Sequence, residues 1–254
     1  MSIHKTYAVF GLGRYGRAVA AELAAAKAYA LIRLIQYADG EGEALEQIVE
    51  EAIEAIDAAE TVEAVEEALA AAMAAIDALE SGLPFVDVKK SDFFFEAVKW
   101  ALEEGITTGT SATTFSPGKT VSRAEAVTFL WRAAGEPEVE AENPFVDVKE
   151  GDFFYKAVLW AVEEGITTGM EADRFAPYAT ANRAQIVTFL WRAAGQVKVE
   201  AENPFADVKA GDYFYDAVLW AVENGITDGV DANHFAPGAK CNRAQMVTFL
   251  YRAD

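Results

Sequence analysis

A single segment returns three times at a spacing of sixty residues, and it fills most of this 254-residue chain. Phe85-Val86-Asp87-Val88 comes back as Phe145-Val146-Asp147-Val148 and then as Phe205-Ala206-Asp207-Val208. In the first copy the string continues through Ala97-Val98-Lys99-Trp100-Ala101, Gly105-Ile106-Thr107, Phe115-x-Pro117, Arg123-Ala124-Glu125 and Val127-Thr128-Phe129-Leu130. A long repeat without insertions implies one supersecondary unit used three times, stacked or arranged as a ring. A binding site built on it should also occur up to three times.

Composition narrows the partners. The formal net charge is −20, which disfavours nucleic acid, whose phosphates are neutralised by Lys and Arg, and disfavours anionic lipid. No stretch is long and apolar enough to span a bilayer, so membrane insertion is not expected. A lone cysteine, Cys241, excludes an intramolecular disulfide and reads as a small filler before a helix. The start does not read as a secretory signal, because the apolar run Tyr7–Phe10 is broken by Gly11, Gly13 and Gly16.

Three parts are expected. Residues 1–17 form a separate start. Residues 18–81 are rich in Ala and Glu, with apolar residues at helical spacing (Ile48, Ile53, Ile56, Val62, Val65, Leu69, Met73 and Ile76). This predicts helices near 18–37, 43–59 and 62–80 in an antiparallel bundle, with Thr61 as an N-cap. The segment resembles small helical spacer modules of Gram-positive surface proteins. The third part comprises repeats at 84–135, 144–195 and 204–254. Each reads as helix, loop, helix: in the first, a helix from Asp92 to Glu104 stopped by Gly105, a loop to Thr120, and a helix from Ser122 to about Ala134. The linkers 136–144 and 196–204 read as extended.

Gly11-x-Gly13-x-x-Gly16 follows a short apolar run and precedes a helical pattern, the setting of a dinucleotide-binding turn. The first 25 or so residues resemble the opening of the nucleotide-binding regulatory domains of potassium transport systems. The rest of that fold is missing: Ile35-Gln36-Tyr37 stands where a ribose-binding acid belongs, and no later strands follow. The start is therefore read as a truncated Rossmann-like fragment, and no cofactor is expected.

The ordered motifs of the three copies resemble the S-layer homology family over Pro84 to Arg252. That resemblance implies a mainly α fold with three repeats in a pseudo-threefold arrangement behind the helical bundle. It also implies anchoring at the bacterial cell surface by binding secondary cell-wall polysaccharide, often pyruvylated, in grooves between repeats. The residues agree with an anion site. Ser122-x-x-Glu125, Asn182-x-x-Gln185 and Asn242-x-x-Gln245 form capping boxes or close equivalents. Arg123, Arg183 and Arg243 then fall at the first helical position, where the helix dipole and free backbone N–H groups favour an anion, and a guanidinium fork matches a carboxylate. The competing reading pairs each Arg with an acid of its own repeat, Asp87, Asp147 or Asp207. These acids and Gly109, Gly169 and Gly229 complete the candidate ligand set, the glycines through a positive φ or close ligand approach.

Trp100, Trp160 and Trp220 are candidates for stacking on sugars, although their mid-helix positions among apolar residues suit a core. Asp228, Asp231 and Asn233 hint at a calcium loop but lack its glycine and final Glu, so no metal is expected. No nucleophile–base pair repeats, and the chain reads as non-enzymatic. A monomer is expected, with several weak sites acting together on one polymer. Two rival readings are a protein–protein scaffold working through the Ala/Glu helices and a nucleotide sensor.

Overall fold

The computed structural model describes residues 14–37 and 42–254. Gly11 and Gly13 of the glycine motif lie outside the described residues, and Gly16 falls within the first helix. Two compact units are present, Met1–Lys90 and Ser91–Asp254. The division falls inside the first sequence repeat, so Phe85-Val86-Asp87-Val88 is counted within the first unit.

In the first unit, α1 (Arg14–Ile35), α2 (Glu43–Ala58) and α3 (Val62–Ser81) contact one another pairwise. The bundle expected from the periodicity is present. Thr61 caps α3, its hydroxyl accepting the Ala64 N–H at 3.1 Å, and Gly82 ends it in the left-handed conformation (φ 74°). The core differs in detail from the apolar pattern. It is built from Ala30, Leu34, Val49, Ala52, Ile56, Val65, Ala72 and Ile76, with Ile48, Ile53 and Leu69 at its margin. Leu34, Val65, Ile56 and Ile76 are buried to within about 1% at its centre, with Ala30, and Ala52 and Ala72 fill the space beside them. α2 and α3 contain no Lys or Arg.

The second unit holds three helix pairs, one per repeat: α4 (Phe95–Glu103) with α5 (Arg123–Ala133), α6 (Tyr155–Glu163) with α7 (Arg183–Ala193), and α8 (Tyr215–Glu223) with α9 (Arg243–Ala253). The first helix of each pair starts three residues later than expected. In the second and third copies the Asp152 and Asp212 carboxylates accept the Lys149 and Lys209 amides at 2.7 Å, which holds the preceding residues in turns. Gly105, Gly165 and Gly225 follow these helices with φ between 67° and 71°.

Packing joins different repeats. α5 lies against α6, α7 against α8, and α9 against α4, while α5, α7 and α9 meet one another. The three helix pairs thus form a closed pseudo-threefold ring, with the second helices inside. Backbone hydrogen bonds close it at the centre: Val121 N–H donates to Cys241 O (2.9 Å), Cys241 N–H to Ala181 O (3.0 Å), and Ala181 N–H to Val121 O (2.9 Å). Phe115, Phe175 and Phe235, with Ile106, Ile166 and Ile226, are fully buried. Each such side chain contributes about 1.5–3 kcal/mol.

Candidate ligand-binding grooves

The chemistry of each repeat begins at the second helix. Ser122, Asn182 and Asn242 are N-caps in extended conformation, and each forms a full capping box with Glu125, Gln185 or Gln245. The helix therefore starts at Arg123, Arg183 or Arg243, as the sequence predicts. The backbone N–H groups expected to face an anion at these helix starts bond carbonyls of neighbouring repeats instead. Arg123 N–H donates to Ala179 O (2.9 Å) and Ala124 N–H to Pro177 O (3.0 Å). Arg183 and Ala184 bond Ala239 and Pro237 in the same way, and Arg243 and Ala244 bond Lys119 and Pro117. The next amide, that of Glu125, Gln185 or Gln245, is held by the cap side chain. A single repeat read alone cannot show carbonyls arriving from the next one.

The guanidinium groups reach across the same seams. Arg123 Nε donates to Phe175 O (2.9 Å) and Nη2 to Thr167 Oγ1 (3.4 Å). Arg183 makes the equivalent bonds to Phe235 O and Thr227 Oγ1, and Arg243 to Phe115 O and Thr107 Oγ1. Each lies over two phenylalanine rings; for Arg123 these are Phe175 and Phe189, at 4.7 and 5.4 Å from their centroids. All three Arg are 2–3% exposed. Burial lowers the Arg123 pKa to about 10, while the charges of Tyr213 and Asp147 hold it up. Arg123 therefore remains a cation at neutral pH.

For Arg123 and Arg183 the expected pairing with an acid of their own repeat is corrected. The acid that acts on Arg123 is Asp147, and the acid that acts on Arg183 is Asp207, each from the following repeat. Both acids bind backbone. Asp147 accepts the Phe175 and Ala176 amides at 2.9 Å, and Asp207 accepts those of Phe235 and Ala236. Burial raises these carboxyls, but the backbone N–H bonds outweigh it and hold both below the ordinary Asp value. The bonds steady Ala176 and Ala236 at φ 57° and 59°, an unusual conformation for alanine. Asp87 is half-buried in the first unit.

Gly109, Gly169 and Gly229 have φ of 85°, 90° and 88°, as expected. At Gly169 the space beside the backbone belongs to protein: a Cβ would stand 2.6 Å from Phe145 Cε1 and 2.7 Å from Arg174 O. Gly229 is equally enclosed. Protein packing, not ligand approach, demands glycine there.

A cleft of about 200 Å³ opens beside this seam in the first repeat, with Thr107, Gly109, Glu125, Arg132, Phe153 and Arg243 among its walls. Arg132 donates to Ile106 O (3.2 Å) and keeps part of its side chain in solvent. Arg192 and Arg252 repeat the bond, to Ile166 and Ile226. Burial raises the Glu125 carboxyl, but the Ser122 amide and Lys119 overcome it and lower its pKa. Lys119 pairs with Glu125 at 3.2 Å, and Arg243 Nη1 lies 3.9 Å from it. Phe153 is largely exposed, as are Phe93 and Tyr213 at the equivalent positions. Burial raises the Tyr213 pKa against the charges of Arg123 and Arg192. Those two arginines and Tyr213 reproduce, one repeat on, the trio Arg243, Arg132 and Phe153.

Arg132, Arg192 and Arg252, with the exposed aromatic rim, were not singled out from sequence. Their signal was the repetition of Trp/Tyr-Arg-Ala at each helix end and of an aromatic after Asp92, Asp152 and Asp212. The tryptophans considered for stacking lie elsewhere. Trp160 and Trp220 are 7% and 6% exposed, and all three line a separate cavity among the helix ends. Cys241 is fully buried, and burial pushes its thiol pKa up to about 12, against the pull of Arg183. Asp231 accepts the Asn233 amide and meets His234 Nδ1 at 2.9 Å. Among the described residues no group of three or more His, Cys, Asp or Glu is placed to hold a metal.

The second unit is thus defined as a closed helical module of three helix pairs whose seams carry buried Arg, with a shallow Arg-lined cleft beside one of them. Residues 84–127, 144–187 and 204–247, just over half of the chain, match the S-layer homology domain. The protein belongs to the S-layer homology domain family. It is similar to an endoglucanase of Bacillus sp. (strain KSM-635), with 33% identity over 175 residues, 66% of this chain and 18% of that protein. It is 33% identical over 171 residues to the surface-layer 125 kDa protein of Lysinibacillus sphaericus, covering 65% of this chain and 14% of that one. An S-layer protein of Bacillus thuringiensis subsp. finitimus is 23% identical over 178 residues, 68% of this chain and 22% of that protein. The chain therefore spans less than a quarter of the length of each of these relatives. No described helix is long and apolar enough to cross a membrane.

Proposed function

We propose that this protein is a non-catalytic anchor that holds its bearer to the bacterial cell wall by binding an acidic secondary wall polysaccharide in the clefts between repeats. The observation that carries this reading is the cleft with Arg132 and Arg243 in its walls, in a chain of net charge −20. A carboxylate on the polymer, such as a pyruvate ketal, suits guanidinium donors that are locally concentrated and partly desolvated. Family membership and the surface-layer relatives support the same reading at the level of wall attachment.

In this scheme Arg123, Arg183 and Arg243 supply fixed positive charge from beneath, while Arg132, Arg192 and Arg252 meet the ligand. Asp147, Asp207 and the glycines Gly109, Gly169 and Gly229 shape the loops that form the cleft walls. Phe153, Phe93 and Tyr213 offer flat apolar faces to sugar rings. Several such clefts on one rigid ring would engage a repetitive polymer with avidity well above that of a single cleft.

The test is co-sedimentation of the full chain with wall sacculi carrying their polymer, and with sacculi stripped of it by acid. Binding to intact walls that is lost on stripping, and that is weakened about tenfold or more in an Arg132→Gln, Arg192→Gln, Arg252→Gln variant of unchanged thermal midpoint, is the expected result. Equal binding to stripped walls would sink the reading.

A further inference from the structure

The three seams share one hydrogen-bonded frame. The hydroxyls of Thr107, Thr167 and Thr227 each accept the buried guanidinium of their seam at 3.3–3.4 Å. Each also accepts the N–H of the glycine two residues on, at 3.1–3.2 Å. Arg132, Arg192 and Arg252 bond an isoleucine carbonyl beside each seam. The frame is threefold, but the side chains set on it are not. Three wall positions of the cleft at the first seam, those of Thr108, Glu125 and Phe153, hold a different residue in at least one other copy.

In the first seam Glu125 already presents a carboxylate to the cations, 3.2 Å from Lys119 and 3.9 Å from Arg243. An incoming carboxylate has to compete with it. In the third seam Gln245 takes that place, but an exposed acid, Asp228, stands where the other copies have Thr108 and Thr168. Like charge there opposes an anion. The second seam carries neither acid. Gln185 uses its Oε1 on the Asn182 amide at 3.1 Å and keeps Nε2, a donor, beside the exposed Met170 at 3.6 Å. Tyr213 stands where the other copies have Phe93 and Phe153, and it adds a hydroxyl within the field of Arg123 and Arg192. Asp147 acts on Arg123 as Asp207 acts on Arg183, so that acid does not set the second seam apart from the third.

Resting on the wall-binding reading, we propose that the second seam is the principal seat of the polymer's carboxylate, and that Glu125 and Asp228 hold the first and third seams to weaker, supporting contacts. At the three variable positions the second seam offers only neutral side chains, two of them able to donate a hydrogen bond to an anion. Charge-assisted bonds from Arg192 add to these.

The test is co-sedimentation of the full chain and single variants with intact wall sacculi over a range of protein concentrations. Arg192→Gln is expected to weaken binding about tenfold, and Arg132→Gln and Arg252→Gln by less than about twofold. Tyr213→Phe, which installs the residue of the other two copies, should weaken it about two- to fivefold and serves if Arg192→Gln fails to fold. Glu125→Gln and Asp228→Thr also install residues that other copies carry, and each should strengthen binding about two- to fivefold. Equal losses from the three Arg variants, a larger loss from Arg132→Gln or Arg252→Gln, or no gain from either acid variant would overturn the proposal while leaving the anchor reading in place. A parent chain that does not bind intact walls would overturn both.

Discussion

Arg243, at the start of the last helix, donates its Nε–H to the carbonyl of Phe115, 128 residues earlier in the chain. This bond joins the third repeat to the first, and it reproduces at the closing seam what Arg123 and Arg183 do at the other two. Arg243→Ala would leave the buried Phe115 carbonyl short of its guanidinium donor and remove one of the two donors to the Thr107 hydroxyl. A loss of about 3 kcal/mol in unfolding free energy is expected, read as a fall in the urea midpoint at constant slope. Lysine at this position should recover only part of the loss, because a single ammonium cannot reproduce the guanidinium fork.

Acid should loosen the same seams. Asp147 and Asp207 sit below the ordinary carboxyl pKa in the folded protein, so the unfolded chain takes up protons first as pH falls. The stabilisation they provide is complete above about pH 4 and declines as pH drops through the folded values. Urea midpoints measured from pH 6 to pH 2.5 should fall less steeply below pH 4 in Asp147→Asn and Asp207→Asn than in the parent. An unchanged slope in both variants would remove these carboxylates from the acid response.

Two glycines separate backbone cost from packing cost. Gly165 and Gly169 both have positive φ, but a Cβ meets nothing within 4 Å at Gly165, whereas at Gly169 it collides with Phe145 and two carbonyls. Gly165→Ala should cost about 1 kcal/mol and Gly169→Ala about 3 kcal/mol, as conformation and overpacking combine. Thermal denaturation of the pair would show whether the second loop is as tightly closed as its geometry states.

Cys241 should be silent in the folded protein. Its thiol is buried and its pKa is raised to about 12, so an aromatic disulfide reagent should label it only after denaturant is added. Cys241→Ala is expected to cost about 1 kcal/mol, since the ring at this point is made by backbone groups and the second repeat already carries Ala181. Rapid labelling in buffer alone would contradict the burial described.

Much of this architecture was legible in the residues. Spacing and capping residues placed α2, α3, α5, α7 and α9 within about two residues, and the three positive-φ glycines were anticipated from the repeat alone. The destinations of side chains were not. Arg123 was weighed against an acid of its own repeat or a ligand, and the structure takes it to a carbonyl and a threonine of the next repeat. Nothing in a local motif encodes which neighbour it will face. Asp147 resisted reading for the same reason, since its partners are backbone amides that any sequence would supply. Arg132 carries little local signal, because an Arg in the last turn of a helix commonly complements the helix dipole.

The central cycle of Val121, Cys241 and Ala181 also bears on how such a module can change over generations. Each backbone amide in it donates to one partner and each carbonyl accepts from another, so the cycle is complete at three members. An open solenoid lengthens or shortens by whole repeats, because each repeat contacts only its neighbours. This ring has no end to which a fourth copy could attach, and losing one copy would strand donors and acceptors on both of its neighbours. The cycle therefore needs all three repeats to be complete. Divergence within them is confined to what the seams tolerate, such as Ser, Asn and Asn at the caps and Val, Ala and Cys at the centre.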